Sequence, residues 1–435
     1  MGSCSILVED LSADSRTDLG KVIALNAVMV STCAWYGDKP LELMFPSSWD
    51  IVSHRMAGHD ALPLSVTQIR ERLAHPFGTR SLSELARNRK ECVIIVDDLT
   101  RPTKAFQVIP AILDEVRNSG IEDEHIRFVM AVGAHDFMRL DDMVKKLGED
   151  IPDRFCVYNH NVYENNVFLG KTSLGTPVSI NREVMHCDLK IAVGCIVPHM
   201  SAGWGGGAKI ILPAVSSIDT IAHNHGSLRI GTGEGRIEGN MMRSDAEEAA
   251  RMTGLDFIVN IILNSNRDCC ELACGDVVQA QREGVRIARK HYVTHIEPSV
   301  DVAVVNGYPM ESEAYKALTM AAESVRQGGD VVILLYAPNG ARGHYYNGRF
   351  GTDYGGRGWS PDVYWRKDWR MKRVVAVSPH QSKADEAYYG KGSVWVKSWQ
   401  DALEELEPAH TGNKVRVAIY PCAPIQISEN NAALP

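Results

Sequence analysis

The sequence predicts an α/β protein built on largely parallel sheets, and three observations carry that prediction. Short, apolar, β-branched runs recur along the chain, amphipathic stretches of helical period separate them, and polar residues gather just after the runs. Parallel strands read as continuous apolar runs because helices cover both faces.

Taken in order, the β pattern begins near Val28, and the twenty residues at the start carry no periodicity, as an ordered extension or a loose tail. Strands are expected at 92–96, 126–132 and 189–197, then at 302–305, 331–335, 374–377 and 415–419. Helical patterns fill 105–119, 141–147, 312–326 and 398–406. A long amphipathic stretch at 276–290 precedes a restart of the strand pattern near Val293. We therefore expect two mixed α/β domains, residues 1–290 and 291–435, the second closing over a site in the cleft between them.

Composition narrows the function. Of 435 residues, 45% are hydrophobic and 23% charged, the usual mixture of a globular chain. The formal charge of -8 argues against a nucleic-acid partner, since phosphate binding calls for a basic face. Among ten cysteines only Cys269, Cys270 and Cys274 cluster, without paired zinc spacing, so reduced thiols are expected. The apolar stretch 22–36 is broken by Asn26, Ser31 and Thr32, and Glu9, Asp10 and Asp14 precede it where a signal peptide needs basic residues. No apolar run reaches membrane-spanning length, and a cytoplasmic enzyme without a membrane partner is the expectation.

Ligands of open parallel sheets bind at the carboxyl ends of strands, where loops converge. Asp97, Asp98 and Arg101 follow the first expected strand, His135 the second and His199 the third. Any one of these has an ordinary reading as a cap or surface residue; their recurrence at equivalent places marks a site. The most unusual stretch is 201–213, where Gly203, Gly205, Gly206 and Gly207 precede Lys209. Glycine admits close backbone approach to an anion, although a tight turn with a solvated lysine has the same composition. Ala208 and Ile210 exclude a Walker loop, and Trp204 suits a dinucleotide turn badly. His223 and His225, two apart on a short helix expected from Ser217, cannot share one face, so at most one points at a given metal.

In combination these motifs resemble the lactate racemase family, whose cofactor is a nickel-pincer nucleotide. The carriers are Asp97 to Thr103, Gly133-Ala134-His135, Pro198-His199 with the glycine stretch to Lys209, Asn224-His225, and Gly307-Tyr308-Pro309 followed by Tyr315. The resemblance implies covalent attachment of the cofactor to Lys209, with Thr100, Trp204, Gly205, Gly206 and Gly207 around it and His225 as the protein ligand of a square-planar nickel. It further implies His135 and His199 as general acid and base, each serving one stereoisomer. Arg101 matches the residue that holds the substrate carboxylate, with Asp98, Tyr315 and Lys316 beside it. Proteins that synthesise the cofactor are implied partners.

Departures from the family pattern touch the substrate more than the reaction. Asp136 stands where an arginine is common, and Lys316 and Thr319 replace a Gln and a Lys. The reading is thus a racemase or epimerase of a 2-hydroxy acid, including polar aldonic or dicarboxylic acids. Tyr345, Tyr346, Arg349, Tyr354 and Arg357 either extend such a pocket or form an ordinary surface loop. Two rivals are a nicotinamide-dependent dehydrogenase, which would release a dissociable cofactor without metal, and a silent nucleotide-binding homologue, which would carry no adduct on Lys209.

Overall fold

The computed structural model describes residues 27–341, 370–383, 385–386, 392–411 and 414–434. The loop carrying Tyr345 to Arg357 and the first twenty residues lie outside them. Among the described residues no helix is long and apolar enough to cross a membrane, and the described cysteines are free thiols.

Two six-stranded sheets organise the chain. The first runs in the order Cys269–Gly275, Phe257–Leu263, Leu189–Cys195, Cys92–Asp97, Ile126–Ala131, Cys156–Asn159, parallel except at the first pair. Its central strand Cys92–Asp97 is buried at every position, which is why it shows no alternation in sequence. The second runs in the order Ser393–Val396, Met371–Val377, Val325–Leu334, Val300–Asn306, Arg416–Tyr420, Asp50–Ser53, and all its pairs are parallel. An α/β architecture with largely parallel sheets is therefore what the chain adopts.

Local chemistry fixes the elements that carry the site. The helix Ile109–Arg117 buries Ile109, Ile112, Leu113 and Val116, one apolar stripe at helical spacing. Pro110 in its first turn cannot donate backwards, so the expected helix at 105–119 divides into a 3-10 turn, Ala105–Gln107, and the helix proper. Ser217 caps the helix Ile218–Ser227 by accepting from the Thr220 amide. The helix expected at 312–326 is also divided. A 3-10 segment, Glu311–Ala317, bends at Glu313 before the helix Leu318–Ser324, and the strand begins at Val325 because Val325 pairs with Val300.

At both ends of the chain, strand pairing departs from the order of the sequence. Asp50–Ser53 forms the edge of the second sheet beside Arg416–Tyr420, although it precedes the first sheet in sequence. Conversely Ile425 and Ile427 pack into the core of the first sheet, and Ile427–Ser428 pairs with Val293–Thr294. Both are short segments whose partners lie more than a hundred residues away, so no local pattern announces them.

One buried histidine makes the fold sensitive to acid. His160, just beyond Cys156–Asn159, is 4% exposed; its Nε2 donates to the Ser216 carbonyl at 2.9 Å, and its Nδ1 accepts from Asn181 Nδ2 at 3.2 Å. Burial pushes its pKa down to about 4, so the folded chain holds it neutral where the unfolded chain is protonated. The stability this contributes is present above the unfolded value near 6.5 and is lost as pH falls towards about 4, worth about 3 kcal/mol in all. Denaturant unfolding of wild type and His160→Gln across that window should show the steeper loss in wild type. Parallel curves would assign the acid sensitivity elsewhere.

Candidate active site

The carboxyl ends of Cys92–Asp97, Ile126–Ala131 and Leu189–Cys195 meet the segment that follows Val300–Asn306 of the other sheet. At the first end sits a fully buried lysine. Lys146 Nζ pairs with Asp97 Oδ1 at 2.7 Å and donates to the carbonyls of Asp98 and Arg101 at 2.7 and 3.0 Å. The turn from Asp98 to Arg101 is thereby wrapped around one ammonium. Asp97 Oδ2 also accepts from Thr103 Oγ1 at 2.6 Å, closing the turn from its far side.

Asp98 faces His135. Its Oδ2 lies 2.6 Å from His135 Nδ1, and its Oδ1 accepts from the Thr100 amide and hydroxyl at 3.0 and 2.5 Å. Burial alone would raise this carboxyl, but His135, Arg101 and Thr100 together hold it below the ordinary aspartate range. An ionised carboxylate only accepts, so His135 carries its proton on Nδ1 and turns Nε2 away from Asp98. Nε2 comes within 3.8 Å of Glu313 Oε1.

Glu313 is the centre of the contacts across the cleft. Arg101 Nη1 reaches its Oε2 at 2.6 Å, Lys316 Nζ donates to the same oxygen, and Tyr315 OH lies 3.5 Å from Oε1. Arg101 Nη1 also donates to Thr100 Oγ1 at 2.8 Å, so the Asp98 turn and the guanidinium orient each other. Burial and the nearby Arg101 lower Lys316 to about 8 against the pull of Glu313.

The glycine turn forms the opposite wall. Gly206 and Gly207 have φ of +68° and +60°, and a Cβ on either would stand 2.6 Å from Asn260 Oδ1 or from Gln281 Cγ. Their glycines are thus demanded by backbone conformation and by packing onto the sheet. The Gly207 amide donates to Asn260 Oδ1 at 2.9 Å, and Arg243, 1% exposed, donates to the carbonyls of Ala202 and Trp204. This bracing aims Lys209 into a cleft of about 750 Å³ lined also by Asp98, Arg101, His135, the three glycines and His225. Burial first, then the cations Arg101, Arg243 and Lys316, hold the Lys209 amine well below the ordinary lysine range. A second cleft of about 700 Å³ shares the Asp98–His135 pair as its wall and is lined by Tyr36, Asp136 and Glu311.

Comparison with known proteins places this arrangement. The model of the lactate racemase N-terminal domain matches residues 36–235. Lactate racemase of Thermoanaerobacterium thermosaccharolyticum is 30% identical over 284 residues, 63% of this chain and 66% of that protein. Lactate racemase of Lactiplantibacillus plantarum is 30% identical over 309 residues, 68% of this chain and 72% of that protein. The chain belongs to the lactate racemase family. Its fold is similar to that of the lactate racemase apoprotein from T. thermosaccharolyticum, with a TM-score of 0.69 at 22% identity, covering 92% of this chain and 100% of the other. A Thermotoga maritima protein matches with a TM-score of 0.63 at 18% identity over 84% of this chain and 99% of its own. The curated relatives are named as racemases, so the chain is a member of an isomerase family.

Most residues singled out in the sequence of this family member converge. Asp98, Arg101, His135, Gly205, Gly206, Gly207, Lys209 and His225 line one cleft, with Tyr315 and Lys316 behind Arg101 through Glu313. Three others do not line that cleft: His199 stands in the short strand Pro198–His199 with its Nδ1 accepting from the Ser201 and Ala202 amides, Thr100 lines the second cleft, and Trp204 is core. Trp204 is fully buried, its Nε1 donating to the Gly235 carbonyl at 3.1 Å, because a large ring after Gly203 packs inward as core. Thr100 is spent on Asp98 and Arg101. His223 pairs with Thr176 Oγ1 at 2.8 Å, leaving His225 as the histidine of that helix in the cleft. Thr319 stands in the helix Leu318–Ser324 and lines neither cleft. The dinucleotide reading of the glycines loses its context, since a 3-10 turn, Gly207–Ile210, follows them in place of a helix.

Glu313, Lys146, Asn260 and Arg243 were not anticipated. Two left a trace: Asn260 interrupts the apolar run Phe257–Leu263, and Lys146 stands three residues after Met143 on the buried face of its helix. Removing Glu313 strands two buried cations, which typically costs about 3–5 kcal/mol. Glu313→Ala should therefore lower unfolding stability by that order, and Lys316→Met in the same chain should recover part of it. Equal losses in single and double variants would show that Lys316 and Glu313 are not energetically coupled.

Proposed function

We propose that the protein interconverts stereoisomers of a 2-hydroxy acid more polar than lactate. The observation that supports this best is the convergence on one cleft of Arg101, the Asp98–His135 pair, Lys209 and His225. In this reading Arg101 binds the substrate carboxylate with its planar fork, and Glu313 and Thr100 hold that fork in place. His135 and His199 are the acid–base residues for the hydroxyl.

The residues present fit a nickel-pincer nucleotide. Among the described residues no three His, Cys, Asp or Glu side chains converge as a metal centre. A metal delivered by an organic cofactor needs only one protein ligand, and we assign that role to His225, which lines the same cleft as Lys209. Lys209, its amine depressed towards the neutral form, has the nucleophilic character that covalent attachment requires. Gly205, Gly206 and Gly207 would cradle the nucleotide, and when bound the group would supply the hydride acceptor for the substrate carbon. The cleft between the sheets would keep water from the planar 2-oxo acid.

Charge decides what kind of polarity the substrate brings. Arg101 and Lys316 already face the carboxylates of Glu313 and Asp98. One substrate carboxylate takes the open side of Arg101, and among the described residues lining that cleft only Lys209, assigned above to the cofactor, is left to meet a second. Extra hydroxyls, as in an aldonic-type acid, are favoured over a second carboxylate.

A panel of enantiopure 2-hydroxy acids offered to the cofactor-loaded enzyme should therefore rank polyhydroxy monocarboxylates above lactate and above dicarboxylates. Arg101→Lys should cost about ten- to a hundredfold in kcat/KM for the best of them. Lactate leading the panel by a wide margin would remove the substrate inference, and unchanged kinetics would remove Arg101. Co-production with cofactor-synthesis proteins should give an adduct on Lys209 by intact mass and bound nickel by elemental analysis. His225→Ala should lower the nickel and Lys209→Ala abolish the adduct; protein lacking both nickel and adduct after co-production would refute the cofactor assignment.

A further inference from the structure

The cleft of about 700 Å³ beside the one that holds Lys209 has Asp98 and His135 in common with it, and among the described residues no lysine or arginine lines it. Most of its carboxylates are already engaged. Asp98 accepts from Thr100 and faces His135, Asp136 Oδ1 accepts from the Phe137 amide at 2.9 Å, and Asp142 Oδ2 accepts from the Arg139 amide at 3.1 Å with Lys145 Nζ 3.7 Å from its Oδ1. Glu311 differs from these. It is 6% exposed and its Oε1 accepts from the Ala34 amide at 2.6 Å, whereas its Oε2 is buried with no hydrogen-bond partner among the described residues. A buried acceptor left unpaired is costly, and a hydroxyl donated into it removes that cost. Burial pushes Glu311 up to about 7, so near neutrality its demand is for a hydrogen bond more than for a cation. Tyr36 and Phe137, the latter 61% exposed, add aromatic planes against which the C–H face of a chain can lie.

Resting on the 2-hydroxy acid reading above, we propose that this second cleft holds the hydroxylated chain of the substrate beyond its reacting carbon, with a chain hydroxyl donating to Glu311 Oε2. The carboxylate stays at Arg101 in the neighbouring cleft, and the chain passes the Asp98–His135 pair that both clefts touch. With the carboxylate and the departing hydrogen held in place, inversion makes hydroxyl and chain exchange positions about the reacting carbon. The second cleft therefore receives the chain of one isomer and not of the other. A contact made in one ground state lowers the Michaelis constant of that isomer alone, because the equilibrium between the isomers in solution fixes the ratio of their kcat/KM values. An ammonium-bearing chain suits the cleft less well, since three of its four carboxylates are engaged and burial draws the fourth towards its neutral form.

The test uses both isomers of a six-carbon polyhydroxy monocarboxylate. Saturation-transfer NMR on cofactor-free protein should mark the protons on the carbons far from the carboxylate, and Ser312→Phe, which puts a ring into the second cleft, should remove that transfer. Saturation confined to the protons nearest the carboxylate in wild type, or unaltered by Ser312→Phe, overturns the proposal. In loaded enzyme, Glu311→Gln has a carboxamide oxygen that can still accept from Ala34 but turns the Oε2 acceptor into a donor. That variant should raise KM about tenfold for one isomer and less than about twofold for the other. Michaelis constants that rise equally for both isomers, or for neither, overturn the proposal, as does tighter binding of a 2-hydroxy acid with an ammonium-bearing chain. Should no 2-hydroxy acid be turned over, the functional reading fails, and the saturation pattern alone then decides whether the cleft takes a hydroxylated chain, so the two failures are read separately.

Discussion

Everything in the site hangs on one buried ammonium. Lys146 is fully enclosed and satisfied by Asp97 Oδ1 and the carbonyls of Asp98 and Arg101. An unpaired ammonium there would be prohibitively expensive, so the turn has little freedom to present those carbonyls elsewhere. With the backbone so fixed, the side chain of Asp98 points to His135 and that of Arg101 to Glu313. The imidazole tautomer, the orientation of the guanidinium and the closure onto the second sheet follow from that turn. Lys146 touches neither cleft; its influence passes through the backbone it collects.

Across from it, the glycine turn solves a different constraint. It must pass close beneath the strand ends, and Gly206 and Gly207 meet that need by lacking the atoms that would strike Asn260 and Gln281. Arg243 then draws the carbonyls of Ala202 and Trp204 inward from the helix Met241–Thr253. The same packing that buries Trp204 therefore lifts Lys209 into the cleft. A ring within the sequence motif and a lysine five residues later end on opposite sides of the backbone, one as core and one as reactive group.

How much of this was legible depended on whether the signal was local. Continuous apolar runs located inner strands such as Cys92–Asp97 and Val300–Asn306, though not Phe257–Leu263, which Asn260 interrupts, and polar residues after Cys92–Asp97 and Ile126–Ala131 marked the candidate site, because both patterns lie within a few residues of one another. Asp50–Ser53 escaped notice since a four-residue edge strand has only Ile51 wholly buried and its partner lies more than three hundred residues on. Glu313 escaped for another reason. An acidic residue in a helical pattern reads as solvated, and only the bend at Glu313 that breaks the helix reveals that Arg101 and Lys316 draw it inward. Ion pairs between sheets, unlike strands, have no period to read.

The electrostatics of the cleft tie attachment to recognition. Lys209 sits among Arg101, Arg243 and Lys316, and that crowding of cations, together with burial, disfavours its protonated form. On the proposed assignment, an amine already kept neutral would be lost to covalent attachment at little electrostatic cost. Arg101 and Lys316 face Glu313 and Asp98, nearly balanced, so that the carboxylate proposed to bind there would be held chiefly by the directed bonds of the guanidinium rather than by a surplus of charge. On the proposed 2-hydroxy acid reading, discrimination would rest on how the rest of the molecule satisfies buried donors and acceptors, a contribution that penalises a missing hydroxyl more sharply than a missing methylene.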